Sequence, residues 1–515
     1  MLAKVLSFGL MGIDGYPVLV ETDVYNGLPA YELVGLPDAA VKESKERVRS
    51  AIKNSGFTYP TKRITVNLAP ADLKKEGPMY DLAIAVGLLA ASDQVLPDLL
   101  KYMVIFGELS LNGDVRPVNG ILPMVIEARE RGFNLMVVPW ENAQEASYIS
   151  DIKILPIKHL RELAAILNKQ TRPDFFPPSQ WNPPSDIQKP EVDFADVKGQ
   201  EKAKRAMEIA AAGGHNILLI GPPGSGKSML AKALPGILPD FAFSEALEVT
   251  KIHSIAGELK NRKQEIVGTR PFRSPHHTSS AVAITGGGIK SRPGEISLAH
   301  RGVLYFDELP EFSRDILEAL RQPLEDGTIS ISRANMKVSY PADFMFVASM
   351  NPCPCGNFGS DTVECRCTPN QISRYLSKIS GPLLDRIDLH VEMGRVDYDD
   401  MHHGREQEKS QCVRQRVNAA RNLQIERYKD SGKFCNAQLS SAQLKQYCAV
   451  EPQAEILLKT AYEKLNLSAR SYTRVLLTAR TIADLDESGT VQAAHIAEAI
   501  QYRTLDRKYW GNIYD

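Results

Sequence analysis

An apolar run that leads into a glycine-rich turn constrains this chain more than any other feature of its sequence. Residues 215–220 read His-Asn-Ile-Leu-Leu-Ile, and the turn that follows consists of Gly221, Pro222, Pro223, Gly224, Ser225, Gly226, Lys227 and Ser228. This order predicts a strand, a phosphate-binding loop and a helix, because the backbone N–H groups of such a turn surround phosphate oxygens at the positive end of the helix. Lys227 is placed to reach the outer phosphates, and the Ser228 hydroxyl to hold Mg²⁺. The motif therefore predicts a site for ATP and Mg²⁺.

The size and charge of the chain set broader limits. At 515 residues it exceeds what one hydrophobic core usually serves, so we expect roughly two to four domains. The formal net charge of −1 gives no sign of nucleic-acid binding, so any such surface must be local. Glycine, aspartate and proline interrupt residues 1–20, which lack the apolar segment of a signal peptide. No apolar run is long enough to cross a bilayer, so we expect a cytoplasmic protein without a membrane partner.

A proline-rich stretch predicts the main domain boundary. Six prolines lie between residues 171 and 190, which favours an extended, semi-rigid connector. We therefore expect an N-terminal domain over 1–170, a linker over 171–190 and an ATPase domain over 191–395. From residue 396 the pattern becomes helical and charged, so residues 396–515 are predicted to form a small α-helical lid.

Two further apolar strands are predicted to end in polar residues at the same edge of a parallel sheet. Residues 302–306 lead into Asp307 and Glu308, and residues 344–348 lead to Asn351. Ligands bind beyond the carboxyl ends of such strands. Asp307 is expected to help hold Mg²⁺, Glu308 to polarise an attacking water, and Asn351 to orient that water or the γ-phosphate.

Four of the seven cysteines cluster within residues 353–367, which we call the cysteine loop. Cys353 and Cys355 form one close pair, Cys365 and Cys367 a second, and the turn-rich segment between them lets the pairs meet. Four thiolates suit one tetrahedral, structural Zn²⁺, although the C-x-C spacing is tighter than usual. Redox-active or free thiols are the alternative interpretation.

Four segments carry a resemblance to a known family. They are residues 193–200, the phosphate loop, residues 294–308 and residues 381–388. They resemble the Mg-chelatase-like branch of the AAA+ ATPases, and the whole chain resembles the bacterial competence protein ComM (YifB) family. The resemblance implies an α/β fold, an AAA+ P-loop NTPase core with a helical lid. It also implies that Arg386 is the arginine finger reaching a neighbouring subunit's nucleotide and that Arg470 is the lid's sensor arginine, with Arg474 as a rival for the second role. Such a site is complete only in an oligomer.

Two insertions bear on what such a motor would move. Residues 329–339 alternate in polarity and predict a β-hairpin with a basic tip. In the related replicative helicases a hairpin at this place projects into the ring channel and grips DNA, which makes Arg333 and Lys337 candidates. A flexible segment over 285–294 carries Lys290 and Arg292, as a pore loop would. Solvated hairpin charges are the alternative.

The N-terminal domain resembles the proteolytic α+β domain of Lon-type ATP-dependent proteases over residues 62–78, 81–87 and 107–120. That family uses a Ser–Lys dyad, whereas this chain has Met79 in place of the serine and Leu122 in place of the lysine. Neither side chain can attack a carbonyl or accept a proton. We expect an inactive protease-like domain, reused for assembly or DNA contact.

The resemblance implies an ATP-dependent DNA translocase or helicase that promotes branch migration in homologous recombination during natural transformation. It would act as a homo-oligomer, a hexameric ring, on single-stranded, duplex or branched DNA. One alternative is a chelatase motor subunit, which shares the ATPase core but lacks the Lon-like domain and the cysteine loop. The other is an ATP-driven protein unfoldase without protease activity.

Overall fold

The structure is a computed structural model that describes residues 1–182, 191–261, 266–288, 292–333, 336–359, 363–396, 407–465 and 467–510. The chain divides into two compact units. Unit 1 comprises residues 1–182 and 246–267, and unit 2 comprises residues 183–245 and 268–515. In the described part of the chain, no helix has both the length and the apolar character that a membrane crossing needs. The predicted domain limits stay a prediction.

Unit 1 is built on a mixed β-sheet with helices. Its strands are Leu2–Met11 (β1), Asp14–Tyr25 (β2), Ala30–Val34 (β3), Arg63–Ala69 (β4), Val104–Ile105 (β5), Glu108–Leu109 (β6), Val115–Arg116 (β7), Leu135–Pro139 (β8) and Lys153–Ile157 (β9). Its N-terminal helices are Ala39–Lys42 (α1), Ser44–Asn54 (α2), Asp81–Ala91 (α3), Ile121–Glu130 (α4), Ala143–Ser147 (α5) and Leu160–Leu167 (α6). Seven strands form one sheet in the order β3-β4-β2-β1-β5-β8-β9. β1 pairs antiparallel with β2, β2 antiparallel with β4, and the other neighbours pair in parallel.

Helix α3 forms the centre of unit 1. Every one of its residues is buried, which is the expected position for a helix that is apolar on all sides. It packs on β1 and β2. The first part of the predicted linker also packs on this unit, since the Phe176 N–H donates to the Ile154 carbonyl at 2.9 Å and the Phe176 ring meets the Trp140 ring edge-on.

Unit 2 alternates helices and strands before it becomes helical. Its strands are Ile217–Ile220 (β10), Phe272–Arg273 (β11), Gly286–Gly287 (β12), Arg292–Pro293 (β13), Val303–Phe306 (β14), Thr328–Arg333 (β15), Met336–Pro341 (β16), Met345–Met350 (β17) and Leu389–Glu392 (β18). The helices through the sheet region are Glu201–Gly213 (α7), Lys227–Ala233 (α8), Phe243–Ala256 (α9), Ala281–Thr285 (α10), Glu295–Leu298 (α11), Arg314–Ala319 (α12), Arg321–Asp326 (α13), Pro369–Leu376 (α14) and Gly381–Leu384 (α15). The C-terminal helices are Ser410–Tyr428 (α16), Ser441–Tyr447 (α17), Pro452–Leu465 (α18), Ala469–Leu485 (α19), Ala493–Gln501 (α20) and Leu505–Trp510 (α21). From Ala246 onward, helix α9 is grouped with unit 1.

A five-stranded parallel sheet forms the core of unit 2, in the order β11-β14-β17-β10-β18. Strands β10, β14 and β17 are buried along their whole length, as expected for a parallel sheet covered on both faces. The predicted strands before the phosphate loop, before Asp307 and before Asn351 are therefore confirmed. Their carboxyl ends meet at one edge of the sheet, because the three strands are parallel neighbours.

The predicted hairpin is also confirmed. Strands β15 and β16 pair antiparallel from Thr328 opposite Pro341 to Arg333 opposite Met336, and residues 334–335 at the tip lie outside the described part. The segment predicted as flexible begins and ends in a short ribbon, in which Gly286 and Gly287 of β12 pair with β13.

Candidate active site

The phosphate loop joins the end of β10 to the start of α8. Gly224 and Gly226 have φ angles of 77° and 89°, in the region that glycine adopts without a steric penalty. Turns that contain such left-handed glycines are the kind in which backbone N–H groups bind anions, so the backbone of this loop suits the predicted phosphate site.

Lys227 is the first residue of α8, directly after Gly226, and is almost fully buried. Its ammonium donates to the carbonyls of Gly221 at 2.7 Å and Pro222 at 2.9 Å, and to Asn351 Oδ1 at 3.2 Å. Burial lowers the pKa of Lys227, while the carboxylates of Asp307 and Glu308 act in the opposite direction. The structure thus brings the predicted lysine and the predicted asparagine into direct contact.

Ser228 and Asp307 meet as a pair of oxygen ligands would. The Ser228 hydroxyl donates to Asp307 Oδ2 at 2.9 Å. Burial acts to raise the pKa of Asp307, but hydrogen bonds from Ser349, Tyr305 and Ser228 outweigh it and hold the pKa below its ordinary value. Asp307 is therefore an anion at neutral pH. A hydroxyl beside a carboxylate is the oxygen donor set that Mg²⁺ prefers, so these residues fit the predicted metal.

Glu308 has an unusual backbone. Its φ angle is 53°, in the left-handed region that non-glycine residues seldom adopt. Its N–H is held by Asp307 Oδ1 at 3.2 Å and by Ser349 Oγ at 3.4 Å. Strain of this kind persists where surrounding contacts fix the backbone, and it is concentrated at active sites.

Ser349 joins these groups, and the sequence pattern did not single it out. Its hydroxyl donates to Asp307, accepts from the Tyr305 hydroxyl at 3.2 Å and accepts from the Glu308 N–H. The contact arises because β14 and β17 are parallel neighbours in a register that pairs Phe306 with Ala348. Ser349 and Tyr305 thus complete the surroundings of Asp307.

The two arginines implied by the resemblance share one carboxylate, which the sequence did not identify. Arg386 donates to Glu325 and to the Pro382 carbonyl, the latter at 2.6 Å. Arg470 donates to the other carboxylate oxygen of Glu325 at 2.8 Å. Arg386 Nε is buried without a hydrogen-bond partner in the described part of the chain. Glu325 therefore brings the side chains of Arg386 and Arg470 together.

Arg474, the rival for the role of sensor arginine, lies on helix α19 together with Arg470. Arg474 Nε forms an ion pair with the fully buried Asp388 at 3.2 Å, and His215 contacts the other oxygen of that carboxylate at 3.3 Å. Burial acts to raise the pKa of Asp388, but Arg474 and then His215 lower it below its ordinary value. Arg474 of α19 thus compensates the buried charge of Asp388, which directly precedes β18.

The four cysteine sulfurs of the cysteine loop converge on one point. Cys353 Sγ lies 3.4 Å from Cys355 Sγ and 3.7 Å from Cys365 Sγ, and Cys355 Sγ lies 3.6 Å from Cys365 Sγ. All four sulfurs, including that of Cys367, lie within 4.8 Å of one another. Tetrahedral bonding to Zn²⁺ at about 2.3 Å separates thiolate sulfurs by roughly 3.8 Å, so the residues fit the ion.

The predicted DNA-contact residues are placed only in part. Lys290 lies outside the described residues, and Arg292 is exposed on β13. Arg333 ends β15, and Lys337 lies on β16 opposite Ser332. Their assignment to DNA stays a prediction.

The positions expected for a protease dyad are apolar and packed. Leu122 is fully buried, and Met79 packs against the same hydrophobic cluster of unit 1. Neither position offers a nucleophile or a base.

Three family models match the chain. The model described as magnesium chelatase, subunit ChlI matches residues 193–401. The model for subunit ChlI of Mg-chelatase matches residues 20–142, and the model for the C-terminal part of magnesium chelatase subunit ChlI matches residues 407–503.

Relatives match along almost the whole chain. It is 45% identical over 514 residues to competence protein ComM of Haemophilus influenzae, covering 98% of each chain. It is 44% identical over 502 residues to the uncharacterized protein YifB of Escherichia coli, covering 96% of each. An uncharacterized protein of Mycobacterium tuberculosis is 42% identical over 510 residues, covering 98% of each. Because the similarity extends through both units, the chain belongs to the magnesium-chelatase-like ComM family of AAA+ proteins.

Proposed function

We propose that this chain is an ATP-driven, ring-forming DNA translocase that works in the cytoplasm and promotes branch migration in homologous recombination during natural transformation. One observation carries the proposal. Lys227, Ser228, Asp307 and Asn351 are assembled within hydrogen-bonding distance, in a chain that is 45% identical to a competence protein along 98% of its length.

The residues at the carboxyl edge of the sheet suit ATP hydrolysis. When bound, Mg²⁺ supplies positive charge beside the phosphate oxygens, and Ser228 and Asp307 would hold it. Lys227 exchanges its carbonyl partners for phosphate oxygens. Glu308 accepts a proton from the attacking water, and Asn351 orients that water. The buried strands exclude bulk water behind the site, which strengthens these charge interactions.

The arginine pair supports a homo-oligomer, which we propose is a hexameric ring. A guanidinium supplied across an interface neutralises charge in the transition state and contributes about 10³–10⁵ in rate. Among the described residues, the buried Nε of Arg386 has no hydrogen-bond partner. The carboxylate of Glu325 binds both Arg386 and Arg470. Arg386 has to leave Glu325 to reach a neighbour's nucleotide, so Glu325 would set how readily the finger is released.

DNA is the proposed substrate along which this ATPase moves. The support is the name of the H. influenzae relative and the confirmed hairpin β15–β16. Arg333 and Lys337, with Lys290 and Arg292 on the neighbouring insertion, are the proposed phosphate contacts. Single-stranded, duplex and branched DNA are all candidate substrates.

Two further assignments complete the proposal. The cysteine loop holds one structural Zn²⁺, and the near-tetrahedral spacing of the sulfurs supports this over redox-active or free thiols. Elemental analysis should then find about one zinc per chain. Unit 1 is an inactive Lon-protease-like domain used for assembly or DNA contact, and the packed Met79 and Leu122 support its inactivity.

A chelatase motor subunit is the second candidate, because the matching family models carry that name. An ATP-driven protein unfoldase is the third. Rates of ATP hydrolysis separate them when measured with single-stranded, duplex and four-way DNA, with unfolded protein, and with a porphyrin plus Mg²⁺. We expect stimulation by DNA and displacement of a labelled strand. Stimulation by unfolded protein or porphyrin alone would reject the DNA motor.

A further inference from the structure

The cysteine loop begins and ends at elements that serve the proposed nucleotide site. Asn351 follows β17 directly, and Cys353 is the next residue but one and is fully buried. At the other end, Cys367 precedes Thr368, whose hydroxyl accepts from the Gln371 N–H and caps α14. Joining the four sulfurs therefore fixes the exit from β17 relative to the start of α14.

One turn of this loop packs against the phosphate loop. The Gly356 N–H donates to the Cys353 carbonyl at 3.0 Å, and the Phe358 N–H donates to Cys353 Sγ at 3.3 Å. These bonds hold Gly356 so close to Pro223 that a Cβ on Gly356 would lie 2.4 Å from Pro223 Cδ. No side chain fits between the two loops.

A second contact connects the same loop to Lys227. Asn351 Oδ1 accepts from the Lys227 ammonium at 3.2 Å, and only Pro352 separates Asn351 from Cys353. The segment that carries two of the four sulfurs thus touches the nucleotide site at two places, Lys227 and Pro223. The conformation of this segment therefore determines the positions of Lys227 and Pro223.

We propose that the metal held by these four thiolates positions Asn351 and the phosphate loop, so that metal occupancy controls ATP hydrolysis. The proposal rests on the nucleotide site and the zinc ion proposed above. Residues 353–359 include no helix or strand, so without the metal this segment loses the cross-link to Cys365 and Cys367 that defines its conformation. Asn351 would then no longer be held against Lys227.

Substitutions at one ligand test the proposal. Cys367→Ser should lose the zinc and lower kcat for ATP about tenfold or more, a typical effect of loosening the support of a site. Cys367→His keeps a zinc ligand, so it should retain zinc and hydrolyse ATP faster than Cys367→Ser. Cys412→Ser removes an exposed thiol outside the loop and serves as the control. Nucleotide affinity, zinc content and ring mass are measured for each variant, so a folding failure is recognised directly.

A pair of glycine substitutions separates metal binding from its effect on the nucleotide site. Gly356 and Gly359 have φ angles of 80° and 76°, so alanine introduces similar backbone strain at either position. Only Gly356 faces Pro223, whereas the nearest atoms to a Cβ at Gly359 are those of the Lys508 side chain at 3.8 Å or more. We expect Gly356→Ala to keep its zinc yet hydrolyse ATP slowly, and Gly359→Ala to keep both.

Removal of zinc from the wild-type protein completes the test without any substitution. A zinc-selective chelator in excess Mg²⁺ should slow hydrolysis, and added Zn²⁺ should restore it. If zinc-free protein hydrolyses ATP at the full rate, or if Gly356→Ala and Gly359→Ala hydrolyse ATP at equal rates, the inference about metal control is wrong, whereas the proposed function is unaffected. Absence of hydrolysis by the zinc-loaded wild type would overturn the proposed function and the inference with it.

Discussion

At the scale of single residues, Lys227 and Glu308 separate nucleotide binding from hydrolysis. Lys227→Ala removes the ammonium that we propose binds the phosphates and should abolish ATP binding. Glu308→Gln keeps the size of the side chain but cannot accept a proton, so it should bind ATP and hydrolyse it about 100-fold more slowly or worse. Titration with a fluorescent nucleotide and phosphate release measure the two steps. A wild-type rate for Glu308→Gln would remove Glu308 from the mechanism.

Replacement of Ser349 is expected to weaken the use of Mg²⁺ by the site. Its hydroxyl lowers the pKa of Asp307 and holds the strained Glu308 backbone. Ser349→Ala should therefore raise the Mg²⁺ concentration needed for half-maximal hydrolysis and lower kcat about tenfold, while ATP binding persists. Ser377→Ala, an exposed serine after α14 whose hydroxyl bonds the Arg374 carbonyl, is the matched control. An unchanged Mg²⁺ dependence in Ser349→Ala would contradict the positioning role.

The sequence identifies some of these residues and not others for a physical reason. Lys227 and Ser228 belong to one continuous motif, because a phosphate-binding loop draws its residues from one short stretch of chain. Ser349 reaches Asp307 only because strands 42 residues apart are neighbours in one register, and Glu325 reaches Arg470 across 145 residues. Sequence patterns contain local geometry, whereas these contacts depend on how the chain folds back on itself.

At the scale of elements, the hairpin β15–β16 gives the test of the DNA assignment. Alternating polarity was enough to predict it, because a hairpin is a local structure. Replacing Arg333 and Lys337 together with alanine should reduce DNA-stimulated hydrolysis and strand displacement, while basal hydrolysis and ring mass stay near wild type. The salt dependence of DNA binding should flatten by about 0.9 unit for each duplex phosphate that the variant no longer neutralises.

A neutral double substitution on the same hairpin controls this experiment. Ser330 and Ser339 are directly opposite each other on β15 and β16. Changing both to alanine preserves the hairpin's charge and should leave DNA stimulation intact. Unaltered strand displacement by an assembled Arg333→Ala, Lys337→Ala double variant would reject the hairpin as the DNA grip.

The start of helix α9 gives a prediction about pH. Arg270 bonds both oxygens of the buried Glu245, at 3.0 and 2.9 Å. Burial acts to raise the pKa of Glu245, but Arg270 lowers it below its ordinary value. The pair's contribution is thus present above the unfolded value of about 4.3 and is lost as the pH falls through the lower folded value. Glu245→Gln should destabilise unit 2 by about 3 kcal/mol at pH 7, because it leaves Arg270 buried without its partner charge. Urea unfolding should show this difference narrowing as the pH falls below the unfolded value of about 4.3.

For the whole molecule, part of the division into two units could not be predicted from the sequence. The proline-rich stretch indicated a break after residue 170, and unit 1 extends to residue 182 before the later segment 246–267 joins it. That segment belongs to unit 1 because Ser254 donates to the buried Glu145 at 2.5 Å and accepts from the Gly120 N–H at 3.2 Å. The first bond joins residues that are 109 positions apart in the sequence, and the second joins residues that are 134 positions apart. No local sequence pattern predicts contacts over such separations.

Assembly gives the last prediction. If Arg386 acts on a neighbour's nucleotide, Arg386→Ala and Lys227→Ala should each fail to hydrolyse ATP alone, because every interface lacks one partner. In a random equal mixture, about a quarter of the interfaces of a cyclic ring combine an intact Lys227 with an intact Arg386, so about a quarter of the wild-type rate should return. Mixing either single variant with the Lys227→Ala, Arg386→Ala double variant restores no interface and is the control. If native mass spectrometry detects mixed rings and the rate stays at zero, Arg386 does not act between subunits, and its contact with Glu325 is a structural ion pair within one chain.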